Sequence, residues 1–325
     1  MTKIEELWIE GTHQARLRPI EENGFRLLRF DNIEKFDIYA GVDSSTFVLL
    51  AIGVRKRPPN IEMESSSLDY FRQQRQDGTW LMVLRLMRSG LSTVFGPLCQ
   101  DLVDASSRVT SETDLISLFK DRLLLWKKLF LRSGDGLLQN HQIKGLIGEL
   151  QFLESLLIQQ GRDSLETVTG WVGPLAKDQD FLYPEVAFEI KAINPTSETI
   201  SIASLRQLDC IVPLFLVCIE LKPSLNGDDG SIGLNCLTTR IEGLIASNPE
   251  ALRVFKSRLL EACYVEHDFY DTVLFQVEET NRYRVDEDFP RIVSSKISKG
   301  IVSATYEVSL DSIQKFMQSP NLNHG

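Results

Sequence analysis

The sequence is poor in the residues that build disulfide frameworks and zinc sites. Its five cysteines are scattered, odd in number and never arranged as CxxC, and its four histidines are equally dispersed. This usage is typical of a chain with reduced thiols in a cytosolic compartment. It also makes zinc enzymes and zinc fingers poor hypotheses, because neither the ligand types nor their spacing are present.

Long apolar runs are missing as well. The longest candidate, Ile211–Leu221, has the length of a strand, whereas a membrane span needs about 18 apolar residues or more. The first six residues, Met1–Glu6, are too charged for a secretory signal peptide. We therefore expect a cytoplasmic protein without a membrane partner.

Positive charge is in short supply. The chain has 35 Lys and Arg against 45 Asp and Glu, a net charge of -10, and a pI of about 5.1. This balance weighs against avid, non-specific nucleic-acid binding, where neutralisation of phosphates supplies most of the affinity. It does not exclude a nuclease, because a carboxylate-rich site can coexist with one local basic surface.

The length of 325 residues is about twice that of a usual domain, so two domains are expected. The clearest linker signal is the segment Arg132–Gly136, which is rich in Gly, Ser and Asp. We predict a β-rich accessory domain with two following helices over residues 1–132. A second domain with a C-terminal extension is predicted over residues 137–325.

Residues 1 to about 110 have apolar and β-branched runs interrupted by Gly, Pro, Asp and Ser, a pattern that predicts strands. The predicted strands are Phe36–Ala40, Thr46–Ile52, Leu68–Gln73 and Thr79–Arg85, and the predicted helices are Leu91–Asp104 and Thr113–Leu131. Two basic segments, Arg55–Pro59 and Arg72–Arg75, are either phosphate contacts or charged, solvated loops.

The second domain begins with a predicted helix over Gln139–Gln159, with Gly161 as its C-cap. Further predicted strands are Thr167–Val172, Asp180–Leu182, Val186–Ile193, Thr199–Ala203, Val212–Leu221, Thr272–Val277 and Ile301–Val308. A short helix is predicted over Ser204–Leu208, more than one helix within Asn235–Ala262, and a last helix from Leu310. Asn226–Gly230 is a predicted loop.

Glu149 is the first of three local anomalies. It borders an apolar stripe at helical spacing that includes Leu146 and Leu153. A carboxylate in that place is costly unless something pairs with it. Gly145 and Gly148 each cost about 1 kcal/mol relative to Ala in a helix and permit close approach of another backbone. The alternative is a boundary residue paired with a Lys or Arg.

The second anomaly is the hairpin Asp180–Lys191. If its turn is centred on Pro184-Glu185, Asp180 lies opposite Glu189 and Phe181 lies opposite Phe188. Directly opposed side chains have Cβ atoms roughly 4.5–5.5 Å apart, and like charges there are destabilising. A divalent cation with a preference for oxygen ligands, such as Mg²⁺, would remove that conflict. The alternative is a solvated face on which Glu189 and Lys191 neutralise each other.

The third anomaly is the segment Ile200–Asp209, which is predicted to be a strand that enters a Ser-capped short helix. Gln207 falls one turn into that helix, near the apolar Leu205 and Leu208. Its alternative interpretation is the polar edge of an ordinary amphipathic helix.

In this order the three segments resemble the PD-(D/E)XK, or restriction-endonuclease-like, superfamily. More narrowly, they resemble bacterial "PD-(D/E)XK motif proteins", whose genes tend to lie in defence islands. The matching segments are Gly145–Leu150, Gln179–Phe181, Phe188–Lys191 and Ile202–Asp209. Gln179 stands where the nominal proline precedes the aspartate, and Asp178 is a rival for the aspartate position.

The resemblance implies an αβββαβ core with a mixed sheet flanked by helices, in an α/β (α+β) chain. It implies a Mg²⁺-dependent DNA endonuclease, with Mn²⁺ as a substitute metal. Asp180, Glu189 and Glu149 would be the metal residues, and Lys191, Glu149 and Gln207 the catalytic ones.

The expected partners are DNA, with double-stranded DNA favoured, and other proteins of a bacterial restriction or anti-phage defence operon. A homodimer is a further partner hypothesis. Two alternatives stay open: a non-catalytic subunit that keeps the nuclease fold as a DNA-binding or assembly scaffold, and a nuclease that acts on RNA or on a free DNA end.

Overall fold

The structure is a computed structural model that describes residues 2–31, 33, 35–62, 67–132, 137–159, 163–225 and 228–318. The chain divides into two compact units, Met1–Leu137 and Leu138–Gly325. The predicted linker residues 133–136, the predicted C-cap Gly161 and the loop residues 226 and 227 lie outside the described ranges.

In its described residues, the first unit has an antiparallel sheet with strand order β1-β2-β3-β5-β4 and three α-helices. The four predicted strands are present as β2 to β5, and the two predicted helices are present as α2 and α3. The elements are α1 (Lys3–Leu17), β1 (Phe25–Arg29), β2 (Ile38–Asp43), β3 (Val48–Val54), β4 (Leu68–Gln74), β5 (Trp80–Leu86), α2 (Ser92–Ser106) and α3 (Glu112–Arg132).

Helix α1 was not predicted, and the interpretation of the N-terminal residues as β-rich is wrong there. The helix begins with a capping box, in which Thr2 Oγ1 accepts from the Glu5 N–H at 3.3 Å and Glu5 Oε2 accepts from the Thr2 N–H at 2.6 Å. Ile4 and Trp8 lie on the buried face of the helix. The pair of Thr and Glu three residues apart is a readable helix start.

The second unit contains a mixed sheet of strand order β12-β10-β9-β7-β6, in which β7 and β9 run parallel and the other neighbours antiparallel. Strands β8 and β11 form a separate two-stranded sheet. Its elements are α4 (Asn140–Ile158), α5 (Ser164–Gly170), β6 (Phe181–Leu182), β7 (Ala187–Ile193), β8 (Thr199–Ile202), β9 (Leu214–Ser224), α6 (Leu234–Ile245), α7 (Pro249–Glu261), β10 (Leu274–Val285), β11 (Tyr306–Ser309), α8 (Leu310–Ile313) and β12 (Met317–Gln318). The predicted α/β class with a mixed sheet is confirmed.

Two predicted elements before and after the hairpin are wrong. Residues Thr167–Val172 are not a strand, because the Asp163 side chain caps helix α5 by accepting from the N–H groups of Leu165 and Glu166. Residues Ser204–Leu208 are hydrogen-bonded turns rather than a helix. Local bonds from side chain to backbone compete with regular structure in such short polar segments.

The helices predicted over Asn235–Ala262 are present as α6 and α7. Helix α7 starts at Pro249, which has no N–H to donate, and Asn248 caps it by accepting from the Ala251 N–H at 3.1 Å. The predicted strand Thr272–Val277 extends further as β10, and the helix from Leu310 is a single turn. No helix in the described ranges combines the length and apolarity required to span a membrane.

Strand β7 is buried on both faces, as befits a strand in the parallel part of a sheet. Helix α4 packs closely on one face, since a Cβ on Gly148 would lie 3.0 Å from the Ala192 Cβ. Phe152 of α4 packs against Phe188 of β7, with ring centroids 4.9 Å apart. The predicted close approach therefore occurs at Gly148, whereas Gly145 faces open space.

Candidate metal centre

The hairpin of β6 and β7 fixes the register of the site. Phe181 pairs with Phe188, as predicted, and the Tyr183 N–H donates to the Val186 carbonyl at 2.9 Å across the turn. The same register places Asp180 next to Glu189. Asp180 is tied down by its Oδ2, which accepts from the Ile190 N–H at 2.8 Å.

Glu189 and Lys191 lie on one side of β7, and Glu189 is only 1% exposed. The Lys191 Nζ is 2.9 Å from Glu189 Oε1, so the two do neutralise each other in part. Glu189 Oε2 is buried and has no hydrogen-bond partner among the described residues. The alternative of a solvated charged face is therefore wrong for Glu189.

Glu149 is half-buried on α4. Its Oε2 accepts from the Trp171 indole Nε1 at 2.7 Å, and among the described residues its hydrogen-bond donor is this indole rather than a Lys or Arg. Trp171 follows α5 directly and is fully buried. The sequence did not predict this contact, because Thr167–Val172 was interpreted as a strand.

Gly173 leaves a space between two of the carboxyl groups. A Cβ at this position would lie 2.9 Å from Asp180 Oδ1 and 2.9 Å from Glu149 Oε2. The two oxygens therefore face one shared space that any larger side chain would occupy. The Gly173 N–H donates to the Asp180 carbonyl at 2.9 Å, which holds the glycine in this place.

Burial raises the pKa of all three carboxyl groups, because water stabilises their charged forms less than it would at the surface. The pKa of Glu189 rises to about 8, with the charge of Asp180 as the second cause. The pKa of Glu149 is raised well above its usual value by burial and by Asp180. The pKa of Asp180 is raised by burial, which outweighs the opposing Ile190 N–H and Lys191 charge.

Gln207, in the turn after β8, extends its side chain toward Lys191. Its Oε1 accepts from the Ala203 N–H at 2.7 Å and lies 3.4 Å from Lys191 Nζ. The structure thus brings together all five residues of the predicted site, Glu149, Asp180, Glu189, Lys191 and Gln207. Asp178, the rival aspartate, is exposed.

The donor set fits a hard divalent cation. Glu189 Oε2 is a buried oxygen without a hydrogen-bond partner in the described part of the chain, and Asp180 Oδ1 faces the space beside Gly173. Within the part of the chain that the structure describes, no three His, Cys, Asp or Glu side chains form a ready-made metal cage. Mg²⁺ suits such a site, since it commonly takes one or two carboxylates and keeps several waters.

A family model described as "Putative PD-(D/E)XK family member, (DUF4420)" matches residues 4–311. The chain belongs to this family. The DUF4420 match extends over both units and includes every residue of the candidate site, and it confirms the predicted PD-(D/E)XK resemblance. No curated protein and no solved structure matches the chain.

Proposed function

We propose that this DUF4420 protein is a metal-dependent nuclease that hydrolyses phosphodiester bonds in DNA at the Asp180/Glu189 site. One observation carries the proposal: the half-buried Glu149 and Asp180 converge on the fully buried Glu189, whose Oε2 has no partner among the described residues. Buried carboxylates are costly without a compensating charge, and Lys191 supplies only one.

Asp180 and Glu189, together with the backbone carbonyl of Ile190, would hold Mg²⁺, with Mn²⁺ as a substitute. The bound cation would polarise the scissile phosphate and lower the pKa of an attacking water. The Ile190 N–H, which donates to Asp180 Oδ2, leaves Asp180 Oδ1 for this task. Asp180 is thereby oriented by the strand that carries Glu189.

Lys191 would orient the attacking water or stabilise the negative charge that develops on the phosphate. Its ammonium is only partly exposed, which strengthens its interaction with a bound anion. Glu149 would act through water or help to position a second ion, and Trp171 would hold it by the indole bond. Gln207 would fix Lys191.

Double-stranded DNA is the favoured substrate, and the setting we propose is a bacterial defence system in the cytoplasm. The net charge of -10 supports action within a complex, whose other members would supply DNA affinity or translocation. A homodimer would serve the same end by presenting two sites to the two strands.

A second candidate function is a non-catalytic scaffold with a nuclease fold. It is favoured by the Glu189–Lys191 ion pair, which partly neutralises the site without any metal. The two candidates differ in metal affinity, because a scaffold needs no divalent cation at Asp180 and Glu189.

The test is incubation of the protein with plasmid, linear duplex, single-stranded DNA and RNA, each with Mg²⁺, with Mn²⁺ or with a chelator. Wild type should cleave only with metal, and Lys191→Ala should not cleave. Lys222→Ala is the matched control, since Lys222 forms an exposed surface pair with Glu278. Equal cleavage by wild type and Lys191→Ala would refute the assignment.

A further inference from the structure

Gln179 stands directly before Asp180, where the nominal motif has a proline, and is 7% exposed. Its Nε2 donates to the Arg206 carbonyl at 2.8 Å and lies 3.3 Å and 3.4 Å from the carbonyl oxygens of Gln207 and Asp209. The amide nitrogen must face this group, because the amide oxygen would confront three acceptors. The Gln179 side chain therefore binds one turn of backbone, residues 203–209.

The same turn presents Gln207 to the candidate site. Gln207 Oε1 accepts from the Ala203 N–H at 2.7 Å and lies 3.4 Å from Lys191 Nζ. Lys191 in turn is 2.9 Å from Glu189 Oε1. A continuous set of contacts thus runs from Gln179 through the turn to the lysine ammonium.

The turn has little regular structure to hold it in place. Its own backbone contributes the bond from the Asp209 N–H to the Arg206 carbonyl at 3.1 Å. On the other side, the Arg291 guanidinium donates to the Leu208 carbonyl. Leu208 anchors the turn in the hydrophobic core of the second unit, and the side-chain bonds to the turn's carbonyls fix how its backbone lies against Gln179. A proline in place of Gln179 would have no side-chain donor for them.

We propose that Gln179 is a positioning residue that holds the 203–209 turn, so that Gln207 orients Lys191 against the carboxylate cluster. The catalytic consequence rests on the proposed nuclease function. The contact between Gln179 and the turn does not depend on that function. It can be tested separately, by hydrogen exchange at the Ala203 amide.

The experiment compares wild type with Gln179→Met, Gln207→Met and the double variant. Methionine keeps the length of glutamine and removes the donor. Gln179→Glu serves as a second variant of the same length, which places a carboxylate against the three carbonyl oxygens. Gln276→Met is the matched control, because the Gln276 amide also donates to a backbone carbonyl, that of Asp229 at 3.3 Å.

Two quantities are measured: hydrogen exchange at the Ala203 amide, and kcat and KM for metal-dependent cleavage. Gln179→Met should speed Ala203 exchange about tenfold or more, since the bond to Gln207 opens more often. It should lower kcat about 10- to 100-fold with KM little changed, because a catalytic group is misplaced. The double variant should be no slower than the slower single variant, since both act through Lys191.

Unchanged Ala203 exchange in both Gln179 variants would overturn the inference, and so would additive losses of kcat in the double variant. A general loss of folding would slow cleavage but would also speed exchange in α4, whereas the inference confines the change to the turn. If wild type cleaves no substrate, the proposed nuclease function fails, and Ala203 exchange alone still decides whether Gln179 holds the turn.

Discussion

The Lys191 ammonium lies 2.9 Å from one carboxylate oxygen of Glu189, while the second oxygen of that carboxylate has no hydrogen-bond partner among the described residues. The charge of Glu189 is thus only partly compensated, although its side chain is almost fully buried. A buried acceptor left without a partner costs about 1–3 kcal/mol, and more when it is charged.

Metal-free protein should lose stability as the pH rises. Folding raises the pKa of Glu189 from 4.5 to about 8, so its protonated form is favoured by the fold. That contribution is fully present below pH 4.5 and is lost as the pH rises through 8. Melting temperatures measured with a chelator across this range should fall less steeply in Glu189→Gln, whose amide resembles the protonated acid.

Glu242→Gln is the control for this pH series, because Glu242 lies on α6 in an exposed pair with Lys256. It should keep the wild-type slope. Parallel slopes for wild type and Glu189→Gln would show that Glu189 does not titrate as proposed.

Calorimetric titration with Mn²⁺ should show binding to wild type that depends on the two hairpin carboxylates. Asp180→Asn and Glu189→Gln should each weaken it by at least about tenfold, and Glu149→Gln by less, since Glu149 acts through water. Glu242→Gln should bind as wild type does. A wild type that takes up neither Mn²⁺ nor Mg²⁺ would support the scaffold instead.

Gly173→Ala should abolish metal binding and cleavage while the fold persists. The added Cβ would lie 2.9 Å from both Asp180 Oδ1 and Glu149 Oε2 and would fill the space they share. Gly145→Ala is the matched control, since its Cβ meets nothing within 4 Å. That control should remain active and gain up to about 1 kcal/mol from better helix propensity. Wild-type cleavage by Gly173→Ala would show that the shared space is not used.

Trp171→Phe should lower cleavage about tenfold or more near neutral pH, because Glu149 loses a charge-assisted hydrogen bond. The Trp171 N–H holds the pKa of Glu149 down, so its removal raises that pKa further. Part of the activity should return at higher pH, where Glu149 ionises. The rate–pH profile gives this result, and a profile of unchanged shape would argue against it.

Trp126→Phe is the control for Trp171→Phe. The Trp126 indole nitrogen is buried in α3 and has no hydrogen-bond partner in the described part of the chain. Its replacement should leave the cleavage profile as in wild type.

The hairpin could be predicted from the sequence because a two-residue turn at Pro184-Glu185 fixes the register, and side chains alternate along a strand. Phe181 lies opposite Phe188 in the structure, as this turn predicts. The position of Glu149 followed from helical spacing, since the apolar stripe marks the buried face of α4.

The surroundings of the site could not be predicted in the same way. Trp171 and Gly173 reach Glu149 and Asp180 only because the chain forms a short capped helix in place of a predicted strand. The sequence shows that Gln179 stands in place of the motif proline. It does not show that the Gln179 side chain bonds to the Arg206 carbonyl, which lies 27 residues further along the chain. Contacts of this kind follow from tertiary structure, which periodicity does not encode.

Cleavage of plasmid DNA in Mg²⁺ by wild type and Glu189→Gln, with Glu242→Gln as the matched control, decides whether Glu189 belongs to a nuclease centre. We expect wild type and the control to nick or linearise the plasmid, and a chelator to stop both. Glu189→Gln, folded to the same melting temperature or higher at pH 8, should leave the plasmid intact. Cleavage by Glu189→Gln at the wild-type rate would contradict the assignment of this site as the nuclease centre.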